Sequence, residues 1–93
     1  MEMETMEKRL KELRAELDAL SARAEAKGEK AKADFRVKKE RLQRKIKEAR
    51  DKIKRARQNG GTALKDISSG IKAAIRDVEA ACKDATSRFK DSE

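Results

Sequence analysis

The chain has 93 residues, of which 47% are charged, 37% are hydrophobic and 2% are aromatic. A chain of this length forms at most one small domain, and so few aromatic side chains leave little material for an ordinary globular core. The absence of proline permits long uninterrupted helices, because proline removes a backbone donor and clashes inside a helix. The absence of histidine removes the commonest metal ligand and general base. We expect neither a metal site nor a cofactor.

The first segment, residues 1–29, carries apolar residues at steps of three and four from Met3 to Ala24. This is the heptad seam of a left-handed coiled coil. Five seam residues are predicted to form a self-association interface: Met6, Leu10, Leu13, Leu17 and Leu20.

The second segment, residues 30–58, continues the apolar pattern after a register slip near Ala31 and Phe35. A slip of this kind locally unwinds a supercoil without breaking the helix. A turn is predicted at 59–61, because Gly60 and Gly61 can adopt the left-handed conformation that ends a helix. Thr62 can then cap the next helix.

The third segment, residues 62–90, is an amphipathic helix whose apolar residues repeat every eleven positions. Eleven residues span about three helical turns, so these positions form one nearly straight stripe. When the chain is folded at the glycine pair, apolar residues of the second and third segments meet along almost their whole length. The predicted hairpin core consists of Phe35, Leu42, Ile46, Ile53, Leu64, Ile67, Ile71, Ile75, Val78 and Phe89.

The sequence therefore predicts an all-α fold, an antiparallel coiled-coil helical hairpin within a single helical domain over 1–93. One long helix covers about 3–58 and a shorter one about 62–89. Half of the long helix would then expose its leucine seam and pair with another copy, giving a homo-oligomer, with a dimer favoured. The alternative is a break near Gly28 that folds the first segment back into a three-helix bundle. Gly28 costs only about 1 kcal/mol inside a helix, and no capping cluster accompanies it, so the continuous helix is favoured.

The net charge of +8 is unevenly distributed. Residues 1–29 have a net charge of −2, residues 30–59 of +10, and residues 60–93 of zero. The middle block is either a solvated helix face or a binding site for an anionic membrane surface or polyanion. Nucleic acid is less favoured, because no base-reading motif or aromatic platform is present. The candidate anion-binding residues are Lys38, Lys39, Arg41, Arg44, Lys45, Arg50, Lys54, Arg55 and Arg57.

No arrangement of nucleophile, base and oxyanion donor can be drawn from the sequence, so we expect a non-enzyme without a small-molecule substrate. Cys82, the single cysteine, lies on the apolar stripe and is predicted to be a small buried hydrophobe. A lone cysteine forms no internal disulfide, and residues 1–20 contain no continuous apolar run. A cytoplasmic location is expected, with peripheral attachment to a membrane as the alternative.

Residues 60–89 resemble the C-terminal repeat of a group of small bacterial coiled-coil proteins, some labelled stress-response proteins. The residues that carry the resemblance are Ala63-Leu64, Ile67, Gly70-Ile71, Ala74-Ile75, Val78, Ala85 and Ser87-Arg88-Phe89. Leu64 and Ile75 stand where those proteins have tryptophan. The resemblance implies a helical, non-catalytic, bacterial protein of poorly defined role, and it transfers no catalytic residue.

Two functions are therefore predicted. The first is a non-catalytic coiled-coil structural or interaction protein that self-associates, with a stress-related role implied by the resemblance. The alternative is a peripheral binder of anionic surfaces that uses 30–57 for charge and 62–89 for insertion.

Overall fold

The computed structural model describes residues 2–58 and 64–91, and it describes side chains over 4–58 and 67–89. Three helices account for this part of the chain: α1 (Glu2–Lys27), α2 (Glu29–Gln58) and α3 (Leu64–Asp91). The described residues contain no strand, and the three helices pack against one another. The all-α prediction is confirmed. The predicted turn at 59–61 and the capping role of Thr62 lie outside the described residues.

The prediction of one continuous helix over about 3–58 is wrong. α1 ends at Lys27, α2 begins at Glu29, and Gly28 alone connects them. Gly28 has a φ of 124°, a conformation that side-chain-bearing L residues rarely adopt. The fold is thus the alternative from the sequence, a three-helix bundle with its break at Gly28, and the two-helix hairpin is replaced by it.

The break is energetically inexpensive for the backbone. The Gly28 N–H donates to the Glu25 carbonyl at 3.2 Å, and the Lys32 N–H donates to the Gly28 carbonyl at 3.0 Å. Lys27 in the last turn of α1 and Glu29 in the first turn of α2 complement the dipoles of the two helices. In return, α1 buries a row of apolar side chains, each contributing about 1.5–3 kcal/mol when large and fully buried. This gain exceeds the loss of a few helical hydrogen bonds.

The helices run up, down and up. α1 and α2 are antiparallel, because Glu25 pairs with Lys32 beside the corner at Gly28 while Glu7 pairs with Arg57 at the far end. α2 and α3 are also antiparallel, in a register close to that predicted by folding the chain at the glycine pair. The rings of Phe35 and Phe89 meet edge to face with centroids 5.7 Å apart. The result is a rod of 48 × 18 × 16 Å.

The core is one continuous apolar cluster along the axis of the rod. None of the described buried side chains is polar or charged. Leu10, Leu13 and Leu17 of α1 are completely inaccessible to solvent, as are Ile71 and Val78 of α3. Small residues such as Ala49 of α2 also lie in the core, where they let the helix backbones approach closely.

Candidate functional site

The five residues predicted as a self-association interface lie inside the chain's own bundle. Each is at most 5% exposed, and all belong to the core cluster that α1 shares with α2 and α3. The physical reason is the break at Gly28, which brings the seam of α1 back onto the same chain. In the closed bundle these side chains pack within the core of the same chain. The five residues are Met6, Leu10, Leu13, Leu17 and Leu20.

Most residues of the predicted hairpin core are buried, as the periodicity indicated. Ile67 and Phe89 are partly buried and pack against the core, and the side chain of Leu64 lies outside the described residues. The remaining members are buried: Phe35, Leu42, Ile46, Ile53, Ile71, Ile75 and Val78.

A groove of about 800 Å³ runs between the first half of α1 and the second half of α2. Ile46 and Ile53 contribute its apolar lining, and the wall is largely cationic. We call this feature the basic groove. In the described part of the chain its charged lining residues are five cations and two carboxylates: Arg14, Lys47, Arg50, Lys54, Arg57, Glu7 and Asp51.

One cation of the basic groove is already engaged. Arg57 Nη2 lies 2.7 Å from Glu7 Oε2, and this pair ties the end of α2 to the start of α1. The other four form no ion pair with any carboxylate in the described part of the chain. They are Arg14, Lys47, Arg50 and Lys54.

These cations share a surface because of helical geometry. Lys47, Arg50, Lys54 and Arg57 follow one another at steps of three and four along α2, which places them on one face. From Lys47 to Arg57 this face extends about 15 Å at 1.5 Å per residue. Arg14 of α1 lines the opposite wall.

The nine predicted anion-binding residues separate into four environments. Arg50, Lys54 and Arg57 line the basic groove, and Arg44 lines a shallower depression on α2 with Glu40, Gln43 and Lys47. Lys39 and Lys45 are held in ion pairs between helices, with Asp18 and Asp77 respectively, each at 3.2 Å. Three are exposed on α2 away from the groove: Lys38, Arg41 and Arg55.

Two groove cations are absent from the predicted set. Lys47 belongs to the same basic segment, and its place on the Lys47–Arg57 face is a signal that helical spacing alone could have given. Arg14 lies in the acidic first segment, and it reaches the groove only because α1 folds back. No feature of the sequence near Arg14 indicates this role.

Apart from the basic groove, a cluster of charged side chains around Arg9 connects α1 to α3. Arg9 Nη2 lies 2.7 Å from Glu79 Oε2, and Glu12 and Glu16 approach the same guanidinium at 3.7 and 3.8 Å. The hydrogen bond from Arg9 to Glu79 raises the pKa of Arg9. Cys82 is buried nearby, and its burial raises the pKa of the thiol. A thiol of this kind is held in its neutral, less reactive form.

Within the described residues, no group of three histidine, cysteine, aspartate or glutamate side chains is placed to hold a metal ion. None of the helices over these residues is sufficiently long and apolar to cross a membrane. No family model, curated protein or solved structure matches the chain. The resemblance to bacterial coiled-coil proteins stays a prediction.

Proposed function

We propose that this chain is a non-catalytic helical protein that binds a linear polyanion through the basic groove. The observation that carries the proposal is the set of four groove cations without a carboxylate partner among the described residues, Arg14, Lys47, Arg50 and Lys54. Cations on opposite walls of a groove repel one another, and an anion between them removes that repulsion and gains charge-assisted hydrogen bonds.

The dimensions favour a chain of phosphates over a small ligand. The groove is open along α2, and its basic face extends about 15 Å. The groove cations are spread along this length, so they can contact several successive phosphates of one linear chain. Among the described residues that line the groove, none is aromatic and able to stack on bases, so recognition of the phosphate backbone, independent of base sequence, is the expected mode.

A membrane-inserting function has less support. The residues that would enter a bilayer, such as Ile71, Ile75 and Val78 of α3, are buried in the bundle core. Among the described residues, Val37 is the large hydrophobic side chain that is well exposed, at 65%. One valine provides little apolar area for insertion, so a membrane would be contacted through charge alone.

The proposal is tested by fluorescence anisotropy of a labelled single-stranded oligonucleotide titrated with the protein across a range of salt concentrations. Inorganic polyphosphate is the competitor. Four phosphate contacts predict a slope of about −3 in a plot of log affinity against log salt. We expect polyphosphate to displace the oligonucleotide, and anionic vesicles to compete far less well than the linear polymers.

Two double variants with the same loss of charge identify the surface. Arg50→Gln with Lys54→Gln removes one arginine and one lysine from the basic groove. Lys38→Gln with Arg41→Gln removes the same two residue types from exposed positions outside it. The groove variant is expected to reduce the magnitude of the slope by about 1.4, at about 0.7 per contact, and the other variant to leave it nearly unchanged. Equal effects of the two variants would contradict a groove-specific site and indicate attraction by net charge alone.

A further inference from the structure

The connection between α1 and α2 is unusually short for two helices that pack antiparallel. One residue, Gly28, makes the reversal with a φ of 124°. A Cβ atom placed at Gly28 would meet nothing within 4 Å. The closed corner is therefore restricted by its backbone conformation and not by surrounding side chains, so the residue at position 28 decides how readily it forms.

The buried faces of α1 and α2 are in phase with each other across this corner. Ala24 is the last buried residue of α1 and Phe35 the first of α2. Eleven residues separate them, which is about three turns of a helix. If Gly28 became helical, the buried stripe from Met6 to Ala56 would continue along one face of a single straight helix. The three-helix bundle of one chain does not require the two buried faces to be in phase, because each helix turns its own apolar face to the core.

We propose that Gly28 is a hinge through which two copies of this chain exchange α1. In the exchanged dimer each chain has one continuous helix from α1 to α2, about 85 Å long. The α1 half of each chain packs against the apolar faces of α2 and α3 of its partner. These faces accept α1 of a second copy because they already bind α1 in the closed chain, where Leu10, Leu13 and Leu17 are fully buried.

Exchange preserves the contacts that hold α1 in the bundle. The pairs Glu7–Arg57 and Arg9–Glu79 re-form between chains with the same partners. The two long helices lie antiparallel around a two-fold axis near Gly28, so the assembly closes as a dimer and does not propagate. The corner itself is lost, and its backbone groups join regular helical hydrogen bonds. This inference is independent of polyanion binding.

The first test compares the oligomeric state of the intact chain, Gly28→Ala and Gly70→Ala by sedimentation equilibrium over a range of concentrations. Alanine favours a straight helix about 5-fold over glycine at each hinge, and it is also strained at a φ of 124° in the closed corner, so dimerisation is expected to tighten by at least about 25-fold in Gly28→Ala. Gly70 lies inside α3, where an added Cβ would make ordinary contact with Lys52 at 3.6 Å. This control is expected to dimerise as the intact chain does. A Gly28→Ala protein that dimerises no more than the control would overturn the proposal.

The second test distinguishes exchange from ordinary dimerisation and does not depend on Gly28→Ala folding. One chain carries Glu7→Lys and Arg9→Glu, and the other carries Arg57→Glu and Glu79→Arg, each in chains with and without Gly28→Ala. Alone, each chain places like charges at both pairs, in the closed and the exchanged form. When mixed, only exchanged heterodimers restore opposite charges at all four contacts. Native mass spectrometry is expected to show mixed dimers above their statistical proportion; random mixing, or no mixed dimer, would exclude exchange of α1.

Discussion

Cys82 shows at the level of one residue how position decides chemistry in this bundle. The eleven-residue stripe predicted a buried hydrophobe, and the structure confirms it, with Cys82 5% exposed in the core. Burial is the largest influence on this group and raises its pKa above the ordinary value of 9.0. The free energy of unfolding then depends on pH, because the unfolded chain releases the thiol proton more readily than the folded chain.

We expect the free energy of unfolding to fall faster between pH 8 and 10 in the intact protein than in Cys82→Ala. The contribution of the neutral thiol is fully present below its ordinary pKa of 9.0 and is lost as the pH rises above it. Urea denaturation at a series of pH values measures the effect. Lysine deprotonation is common to both proteins and cancels in the comparison. Parallel pH profiles would show that the thiol does not ionise on unfolding in this range.

At the level of the elements, the sequence identified which residues of α1 are buried, but it did not identify the helices that α1 packs against. The heptad pattern indicates which side chains seek burial, but it is equally satisfied by another copy and by a fold back onto the same chain. The spacing of charges along α1 also did not indicate which ion pairs form. Glu7 could have paired with Lys11 one turn away, whereas the structure pairs it with Arg57 across the bundle. Contacts between helices depend on a corner that periodicity does not encode.

Leu17→Ala is expected to destabilise the protein by about 2–5 kcal/mol, because it leaves a cavity at a position with no solvent access. The matched control is Val37→Ala, a truncation of an apolar residue that is 65% exposed on α2. The control is expected to change the free energy of unfolding by about 0.5 kcal/mol or less. Thermal and urea unfolding followed by circular dichroism measure both. A Leu17→Ala effect as small as that of Val37→Ala would show that α1 is not packed in the core in solution.

At the level of the whole molecule, two adjacent helices could be predicted and the third could not be placed. α2 and α3 follow from counting outward from the glycine pair, since apolar positions match along their length and Phe35 and Phe89 of the predicted hairpin core meet. Only one of the two walls of the basic groove could be predicted. Its α2 face is visible in the sequence as a run of cations, but its second wall, with Arg14, exists only once α1 is folded back.

A chain lacking residues 1–27 is expected to lose cooperative thermal unfolding and much of its helical signal. Without α1, the buried faces of α2 and α3 are exposed to water along the rod, and two helices alone bury too little apolar area for stability. Circular dichroism of the shortened chain measures this, and a separate peptide of residues 2–27 added to it is the control that should restore helicity. Unfolding of the shortened chain at the same temperature as the full chain would contradict a three-helix core.

The one-residue corner at Gly28 also governs the order in which contacts can form as the chain folds. Glu25 and Lys32 flank the corner, so this contact closes almost no loop, and Asp18–Lys39 follows farther out along the same two helices. Arg9 and Glu79 are 70 residues apart, and bringing them together carries the larger entropy of closing a long loop. Folding that starts at the corner would assemble α1 with α2 first, and the contacts between α1 and α3 would form in a later step.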